Sequence, residues 1–425
     1  MGARKRYVLA GTGGRGLGMF AAPLLKDFTE FCELAALFDA NPDRLKAANG
    51  LLGTNLPVYT DYAQMLKEIE PDAAIVTTRD STHAEFICRT LDAGKRAISE
   101  KPLCVDGRQC RQILAAAKRN RRKPRARCFV THNMRYGPAI QELKRLIASG
   151  AIGQLKWVQF QENLDRRHGA DYFRRWHRVK ANSGGLLIHK ASHHFDVLNY
   201  LIDSIPETLL ARGGLTFYGK HGPFRHKRCE GCPHAGQCEF HVELFKNERT
   251  RKLYKEAERA DGYIRDGCVF DREIDIEDQA SVLYDYKNGV RVTYSLHAFG
   301  SYEGWIIQFE GADGRLELHE VHDTSWLSTN ASQHGLGGPT GKHLYHWSKS
   351  KGFRELPIPE AQGSHGGADP QIRHDFFGRP FDAKPTPQMA PLEEAVQAVL
   401  IGHAANVSLA RSGKLVRVQD FLKKG

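Results

Sequence analysis

Gly11, Gly13 and Gly16 stand at G-x-G-x-x-G spacing, directly after a short apolar run and directly before a helical pattern. In that setting the first glycine permits a tight turn, the second lets a pyrophosphate approach the backbone, and the third lets helix and strand pack closely. Thr12 and Arg15 fill the same loop. The helix that follows presents free N–H groups and the positive end of its dipole to the phosphates. Asp39 closes the next apolar run. An acid at that point accepts from the adenosine ribose hydroxyls and repels a 2′-phosphate, which favours NAD over NADP. Arg44, one turn later, leaves some tolerance for NADP.

A second cluster has a different chemistry. Cys229, Cys232 and Cys238 follow C-x2-C-x5-C spacing, and Cys268 lies in the same stretch of chain. Two residues between sulfurs is the bite that tetrahedral thiolate coordination prefers, and four cysteines complete a closed site, so a structural zinc ion is the first expectation. An iron–sulfur cluster uses four thiolates as well. His234 or His241 could replace Cys268 as the fourth ligand. The surrounding segment is charged and poor in apolar residues, and a metal staple would explain how it orders.

Two more motifs narrow the reading. Glu100-Lys101-Pro102 follows the apolar run 96–99, and Gly184, Gly185, His189, Lys190, His193, His194 and Asp196 open a helix further along. Thr131, Asn133, Arg135 and Tyr136 form a third short motif. With the glycine fingerprint, these resemble in order and spacing the glucose-fructose oxidoreductase / inositol dehydrogenase / rhizopine catabolism (Gfo/Idh/MocA) family, over nearly the whole chain. The resemblance implies an NAD-dependent oxidoreductase moving a hydride between nicotinamide and a secondary hydroxyl or ketone of a sugar, glycoside or cyclitol. It maps the family lysine, beside nicotinamide and substrate, to Lys101, and the acid/base histidine to His193. The chemistry agrees: an imidazole titrating near neutral pH can take the hydroxyl proton, and an ammonium can hold the developing oxyanion. The same resemblance adds Thr78, His83, Glu100 and Asn133 to the cofactor site. It places Arg135, Tyr136, Lys190 and Asp196 near the substrate, with the loop residues Tyr172, Trp176 and His177, whose aromatic faces suit the C–H faces of a pyranose.

Position 189 departs from the family pattern, being His where Asp is common. His189 and His193 are four apart and are expected on one helix face, so two imidazoles replace a carboxylate–imidazole pair. This departure motivates an alternative, an NAD-dependent glycoside hydrolase or lyase working by transient oxidation and elimination. A metal on the two histidines is disfavoured, because three protein ligands are normally required.

These residues need elements to position them. Apolar runs at 7–10, 34–38, 73–77, 96–99 and 128–131 alternate with helical stretches at 20–31, 61–68, 84–93 and 107–120. That alternation predicts an α/β Rossmann domain, a doubly wound parallel sheet, over 1–135. From 136 to 425 one helix (138–149) precedes alternating runs at 155–162, 280–286, 290–296, 305–310 and 315–319, with a hairpin turn at 287–289. These predict an α+β domain with an open, mainly antiparallel sheet for substrate binding and oligomerisation. A Cys-rich insertion interrupts it at about 219–270, the Gly/Ser/His-rich stretch 332–368 reads as surface loop, and 392–412 as a last helix.

Composition sets the outer bounds. A chain of 425 residues suits two domains. Much of the formal +12 charge sits in 118–127, which reads as the solvated end of a helix and a turn, so nucleic acid is not the expected partner. Nine cysteines without a secretion signal argue for a reducing compartment rather than a disulfide framework. No apolar run reaches the roughly 18 residues of a membrane helix, and the expectation is a cytoplasmic protein with no membrane partner. A homo-oligomer, dimer or tetramer built on the open sheet, is implied by the resemblance.

Overall fold

The structure is a computed structural model that describes residues 4–322, 340–360, 362–363 and 366–423. The chain divides into two compact units. The first combines Met1–Tyr136 with Leu244–Arg265 and Gly363–Val399; the second combines Gly137–Glu243, Asp266–Gln362 and Leu400–Gly425. The contiguous division read from the sequence thus differs in two places, since half of the insertion and a late segment return to the first unit.

The sheet of the first unit contains β1 (Lys5–Ala10), β2 (Cys32–Phe38), β3 (Val58–Tyr59), β4 (Ala73–Val76), β5 (Arg96–Ser99) and β6 (Cys128–Val130). Their order is β6-β5-β4-β1-β2-β3 and their pairings are parallel, the doubly wound arrangement expected. Ala390–Pro391 adds an antiparallel edge beside β6. Every residue of β4 and β5 is buried, as in a sheet covered on both faces. In β1 the two faces separate by alternation: Tyr7 and Leu9 join a core that includes Phe376 and Phe377, while Val8 and Ala10 join Phe38, Tyr62 and Met65. Asn41, Asp61 and Asp106 cap the helices Pro42–Leu52, Tyr62–Ile69 and Gly107–Arg119 by accepting from first-turn amides.

One expected helix is displaced. The stretch 20–31 was to be helical, but the helix opens inside the fingerprint at Gly16–Ala21 and ends with Ala22–Lys26. The rest turns back into β2, with the Cys32 amide on the Phe28 carbonyl at 2.9 Å.

The second unit carries β7 (Leu155–Asp165), β8 (Pro206–Gly214), β9 (Gln279–Tyr286), β10 (Arg291–Gly300), β11 (Gly304–Gly311), β12 (Gly314–Val321), β13 (Gly341–Ser348) and β14 (Gly352–Leu356). They run in the order β14-β13-β12-β11-β7-β10-β9-β8, with Val416–Arg417 beyond β8. Pairing is antiparallel except between β7 and β10. Buried residues alternate along β9 and β10, which is the open-sheet pattern the sequence predicts. The hairpin β13–β14 corrects the loop expected over 332–368: Leu344 and His346 point inward at period two, a signal masked by the Gly/Ser/His composition. Residues 332–339, 361, 364 and 365 of that stretch lie outside the described residues. The helix Pro138–Ala148 buries Ala139, Ile140, Leu143 and Leu146, and the last long helix is Leu392–Ala410. Among the described residues, no helix is long and apolar enough to cross a membrane.

Candidate active site

In the first unit the fingerprint is shaped as a dinucleotide loop must be. Gly11 has φ +93°, and a Cβ there would lie 2.6 Å from the Thr77 carbonyl oxygen. At Gly16 a Cβ would overlap the Gly11 carbonyl. The residues therefore fit the group the loop is expected to hold. Gly11→Ala meets both a left-handed backbone and that carbonyl, and is expected to lower unfolding free energy by about 2 kcal/mol. Thermal melts with and without NAD check this; wild-type melting and NAD affinity in the variant would contradict it.

Asp39 is buried at the end of β2. Its Oδ2 accepts from Thr12 N at 2.9 Å and Thr12 Oγ1 at 3.0 Å, and its Oδ1 from Asn41 N at 3.0 Å and Arg44 Nη1 at 3.1 Å. A carboxylate offers about four lone-pair sites, so a ribose hydroxyl must take the place of one of these donors. Arg44 also donates to Asp261 at 2.7 Å and to the Leu253 carbonyl at 3.3 Å. With two carboxylates on it, this guanidinium is poorly placed to attract a 2′-phosphate. Asp261 was not foreseen; nor was Tyr254, whose hydroxyl accepts from Gly14 N at 2.9 Å. Both lie on Leu244–Arg265, the part of the insertion that returns to this unit.

Four of the expected cofactor residues are brought together by one network. Glu100 Oε1 accepts from Arg15 Nε at 2.8 Å, and Glu100 Oε2 from the Lys101 amide at 3.2 Å. Arg15 Nη1 donates to Asp369 at 3.2 Å, and Asn133 Nδ2 donates to the same carboxylate at 3.3 Å. Asp369, from the first turn of Ala368–Phe377, is the member the sequence did not reveal. Thr78 Oγ1 accepts from Thr82 Oγ1 at 2.9 Å.

His83 is placed differently from expectation. It is buried, with Nδ1 2.8 Å from the Pro102 carbonyl and Nε2 3.2 Å from the Thr78 carbonyl. Burial holds its pKa below the usual imidazole value, so it is neutral and clamps the Lys101-Pro102 turn. Arg135 and Tyr136, expected near the substrate, are both buried: Arg135 has Nη1 2.6 Å from Glu394, and Tyr136 belongs to the core on one face of the sheet.

In the second unit, the helix expected to carry both histidines is broken. Leu186–His189 ends before Ser192–Ile202 begins, and the Ala191 amide reaches back to the Leu186 carbonyl at 2.9 Å. His189 and His193 therefore do not share one helix face; His193 opens the second helix, and Asp196 lies buried one turn on. His189 instead meets the aromatic loop: its ring is 5.4 Å from Tyr172, 5.8 Å from Trp176 and 4.1 Å from His177, centre to centre.

Beside this cluster runs a charged chain of which the sequence offered Lys190, His194 and Tyr172 but not Glu162, Glu303, His168 or Tyr294. Lys190 Nζ is 3.0 Å from Glu162 and 4.0 Å from Glu303. Glu162 Oε2 is 3.4 Å from His194 Nε2, and His194 Nδ1 is 2.8 Å from the Tyr294 hydroxyl. His168 joins Glu303 at 2.9 Å and the Tyr172 hydroxyl at 3.4 Å. Burial raises the pKa of Glu162, with Lys190 offsetting part of the rise. For Lys190 burial alone would lower the pKa, but Glu162, Tyr172 and Glu303 outweigh it and hold the ammonium charged. Lys190 is thus a paired cation rather than a free base.

Burial would also raise Glu303, yet His168, its hydrogen bond and Lys190 bring it down to about 2. A depressed carboxylate stabilises the fold above its unfolded pKa and loses that contribution as pH falls toward the folded value. Glu303→Gln is therefore expected to cost about 3 kcal/mol at neutral pH. The gap should narrow below about pH 4.5, where the unfolded-state carboxyl begins to protonate, and close as pH falls toward about 2. Denaturant titrations at several pH values measure it; a gap independent of pH would contradict the assignment.

The cysteines Cys229, Cys232, Cys238 and Cys268 lie in the second unit, and all four are free thiols lining one small cavity. Among the described residues, no group of three or more His, Cys, Asp or Glu is gathered tightly enough, as placed, to grip a metal ion.

Comparison with known proteins agrees with this architecture. Residues 5–126 match the oxidoreductase family NAD-binding Rossmann fold, and residues 144–417 match the oxidoreductase family C-terminal alpha/beta domain. The Bacillus subtilis (strain 168) protein YteT is 29% identical over 390 residues, 88% of each chain. The inositol 2-dehydrogenase/D-chiro-inositol 3-dehydrogenase of Lactiplantibacillus plantarum is 25% identical over 171 residues, 40% of this chain and 45% of that one. A levoglucosan dehydrogenase in complex with NADH and levoglucosan has the same fold, with a TM-score of 0.67 at 19% identity over 98% of this chain and 100% of its own. With both family domains matched in order along the sequence, the chain belongs to the Gfo/Idh/MocA family of NAD-binding oxidoreductases.

Proposed function

We propose that the protein is an NAD-dependent dehydrogenase acting on a secondary hydroxyl, or the corresponding ketone, of a sugar, glycoside or cyclitol. The observation that carries this reading is the gathering of Tyr172, Trp176 and His177 around His189, an aromatic and imidazole surface of the kind that suits a polyhydroxylated ring. Relatives named for inositol and levoglucosan support the same class. NAD, when bound, supplies the hydride acceptor. Gly11, Thr12, Gly13, Arg15, Gly16, Asp39, Thr78, Glu100 and Asn133 are the residues that would hold it. The two carboxylates on Arg44 support NAD over NADP. Lys101 holds the charge that develops on the substrate oxygen, and His193 takes its proton, with Asp196 on the same helix.

A panel of aldoses, cyclitols and anhydrosugars, followed by NADH absorbance, tests this. Reduction of NAD by at least one class is the expected result; a panel silent in both directions would remove the reading.

The ring contact of His177 with His189 favours a second reading, redox-neutral glycoside cleavage. Elimination next to a transiently oxidised carbon needs another base, and this imidazole pair offers one. Solvent deuterium in the product at the carbon next to the oxidised one distinguishes it from net oxidation.

The remaining assignments are a cytoplasmic homo-oligomer with a small-molecule substrate. Trp347 and Phe353 on β13–β14 are exposed at 38% and 58% with rings 5.1 Å apart, which supports a protein contact there. The basic run 118–127 lies at the end of Gly107–Arg119, with Arg119 on Asp92 and Arg125 on Asp72, which supports a solvated helix end over a nucleic-acid surface.

A further inference from the structure

We infer that Cys229, Cys232, Cys238 and Cys268 form a tetrathiolate site for one zinc ion, and that this staple restrains the segment that reaches the dinucleotide loop. The backbone sets the four side chains up in pairs. Arg228 and Gly267 form an antiparallel bridge, with Cys229 N on the Asp266 carbonyl at 2.8 Å and Cys268 N on the Lys227 carbonyl at 3.3 Å, so the residues after them start side by side. Cys232 follows through a turn closed by its amide on the Cys229 carbonyl at 3.1 Å. Cys238 opens a second turn, closed by the His241 amide on its carbonyl at 3.1 Å. The backbone amides of Val242 and Phe240 hydrogen-bond the Cys229 and Cys238 sulfurs, as donors do around metal-bound thiolates.

The cavity these cysteines line, with Phe224 and Phe240, has a volume of about 20 Å³. A single water-sized sphere needs roughly 10–15 Å³, so the space suits one ion. As placed, the four sulfurs do not yet grip an ion, so binding requires them to close to the roughly 2.3 Å of a zinc–thiolate bond. His234 stacks on Phe224, and His241 lines the cavity as well, but Cys268 starts beside Cys229 across the Arg228–Gly267 bridge and is taken as the fourth ligand.

The electrostatics point the same way. Arg174 is 1% exposed; its Nη1 donates to Cys229 Sγ at 3.6 Å and its Nη2 to the Phe240 carbonyl at 3.1 Å, with Asp171 3.5 Å from Nε. Asp171 already pairs this guanidinium. Four thiolates around a divalent ion would add a net charge of two minus beside it.

Cys238 and Cys268 bracket Leu244–Arg265, which carries Tyr254 on Gly14 and Asp261 on Arg44. Joining the two ends of that excursion through one ion shortens the free loop and lowers the entropy of placing it. Removing the metal should therefore weaken NAD binding, even though no cysteine belongs to the first unit.

Elemental analysis of the purified full-length chain tests the site, with about one zinc per chain expected. Cobalt substitution should give the intense near-ultraviolet thiolate-to-metal absorption. Cys232→Ser should lose the metal and bind NAD several-fold more weakly. Because a variant can misfold, the wild-type protein is also titrated with a mercurial thiol reagent beside a zinc indicator and NAD fluorescence. Zinc release in step with thiol blocking, and a matching fall in NAD affinity, are expected. A chain free of zinc after expression and refolding with zinc, with four thiols reacting at once, would overturn the site; iron with sulfide would overturn its identity. Zinc release with unchanged NAD affinity would overturn the restraint. None of these readouts depends on the substrate.

Discussion

Lys101→Met is expected to lower turnover by about 10²–10³-fold, the usual loss when one donor to a developing oxyanion is removed. The frame around the residue should survive. Glu100 is fixed by Arg15 Nε and receives the Lys101 amide, a backbone contact that methionine keeps. His83 holds the carbonyl of Pro102 from the other side of the turn. NAD affinity, read by fluorescence titration, should therefore stay within a few-fold while single-turnover hydride transfer collapses. Arginine is not an equivalent replacement, because its planar fork spreads the charge that an ammonium concentrates. A variant whose single-turnover rate matches wild type would remove Lys101 from the chemistry.

The second large effect is assigned to His193. His193→Ala should slow the reaction by about 10²–10⁴-fold, as expected for loss of a general base. For alcohol oxidation the base must be neutral, so the wild-type rate should rise with pH as the imidazole gives up its proton. The variant should lose that rise. His189→Ala provides the contrast: it removes one wall of the aromatic cluster and should raise KM more than it lowers kcat. If the pH-dependent limb survives in His193→Ala and vanishes in His189→Ala, the base is His189 and the assignment by motif is wrong.

Much of the first unit was legible because its signals are local. The fingerprint lies between a strand and a helix, the strands β1, β2, β4 and β6 carry short apolar runs, and caps such as Asp61 and Asp106 sit immediately before their helices. What escaped depends on long-range return of the chain. Asp369 and Glu394 meet Arg15 and Arg135 from more than two hundred residues away, and no periodicity announces such a pairing. Arg135 shows the consequence: as an arginine in a family motif it read as a substrate ligand, whereas the fold buries it in an ion pair.

The site in the second unit was half legible. Tyr172, Trp176, His177 and His189 were each foreseen, and the structure brings them together. The helix break at Lys190–Ala191 was not, because its sequence carries no proline or glycine at the interruption. Glu162 and Glu303 were hidden for another reason. Glu162, an acid at an inward position of β7, looks like a pattern fault until Lys190 is seen beside it, and Glu303, just before β11, gives no signal until His168 is seen against it.

The account rests on direct hydride transfer between a carbinol carbon and NAD. The decisive measurement uses a substrate from the sugar and cyclitol panel labelled with deuterium at the carbon oxidised, with the isotopic mass of the NADH formed as readout. NADH heavier by one deuterium, and none formed by Lys101→Met on the same timescale, is the predicted result. Unlabelled NADH, or no NADH from any member of the panel with NAD demonstrably bound, would contradict it.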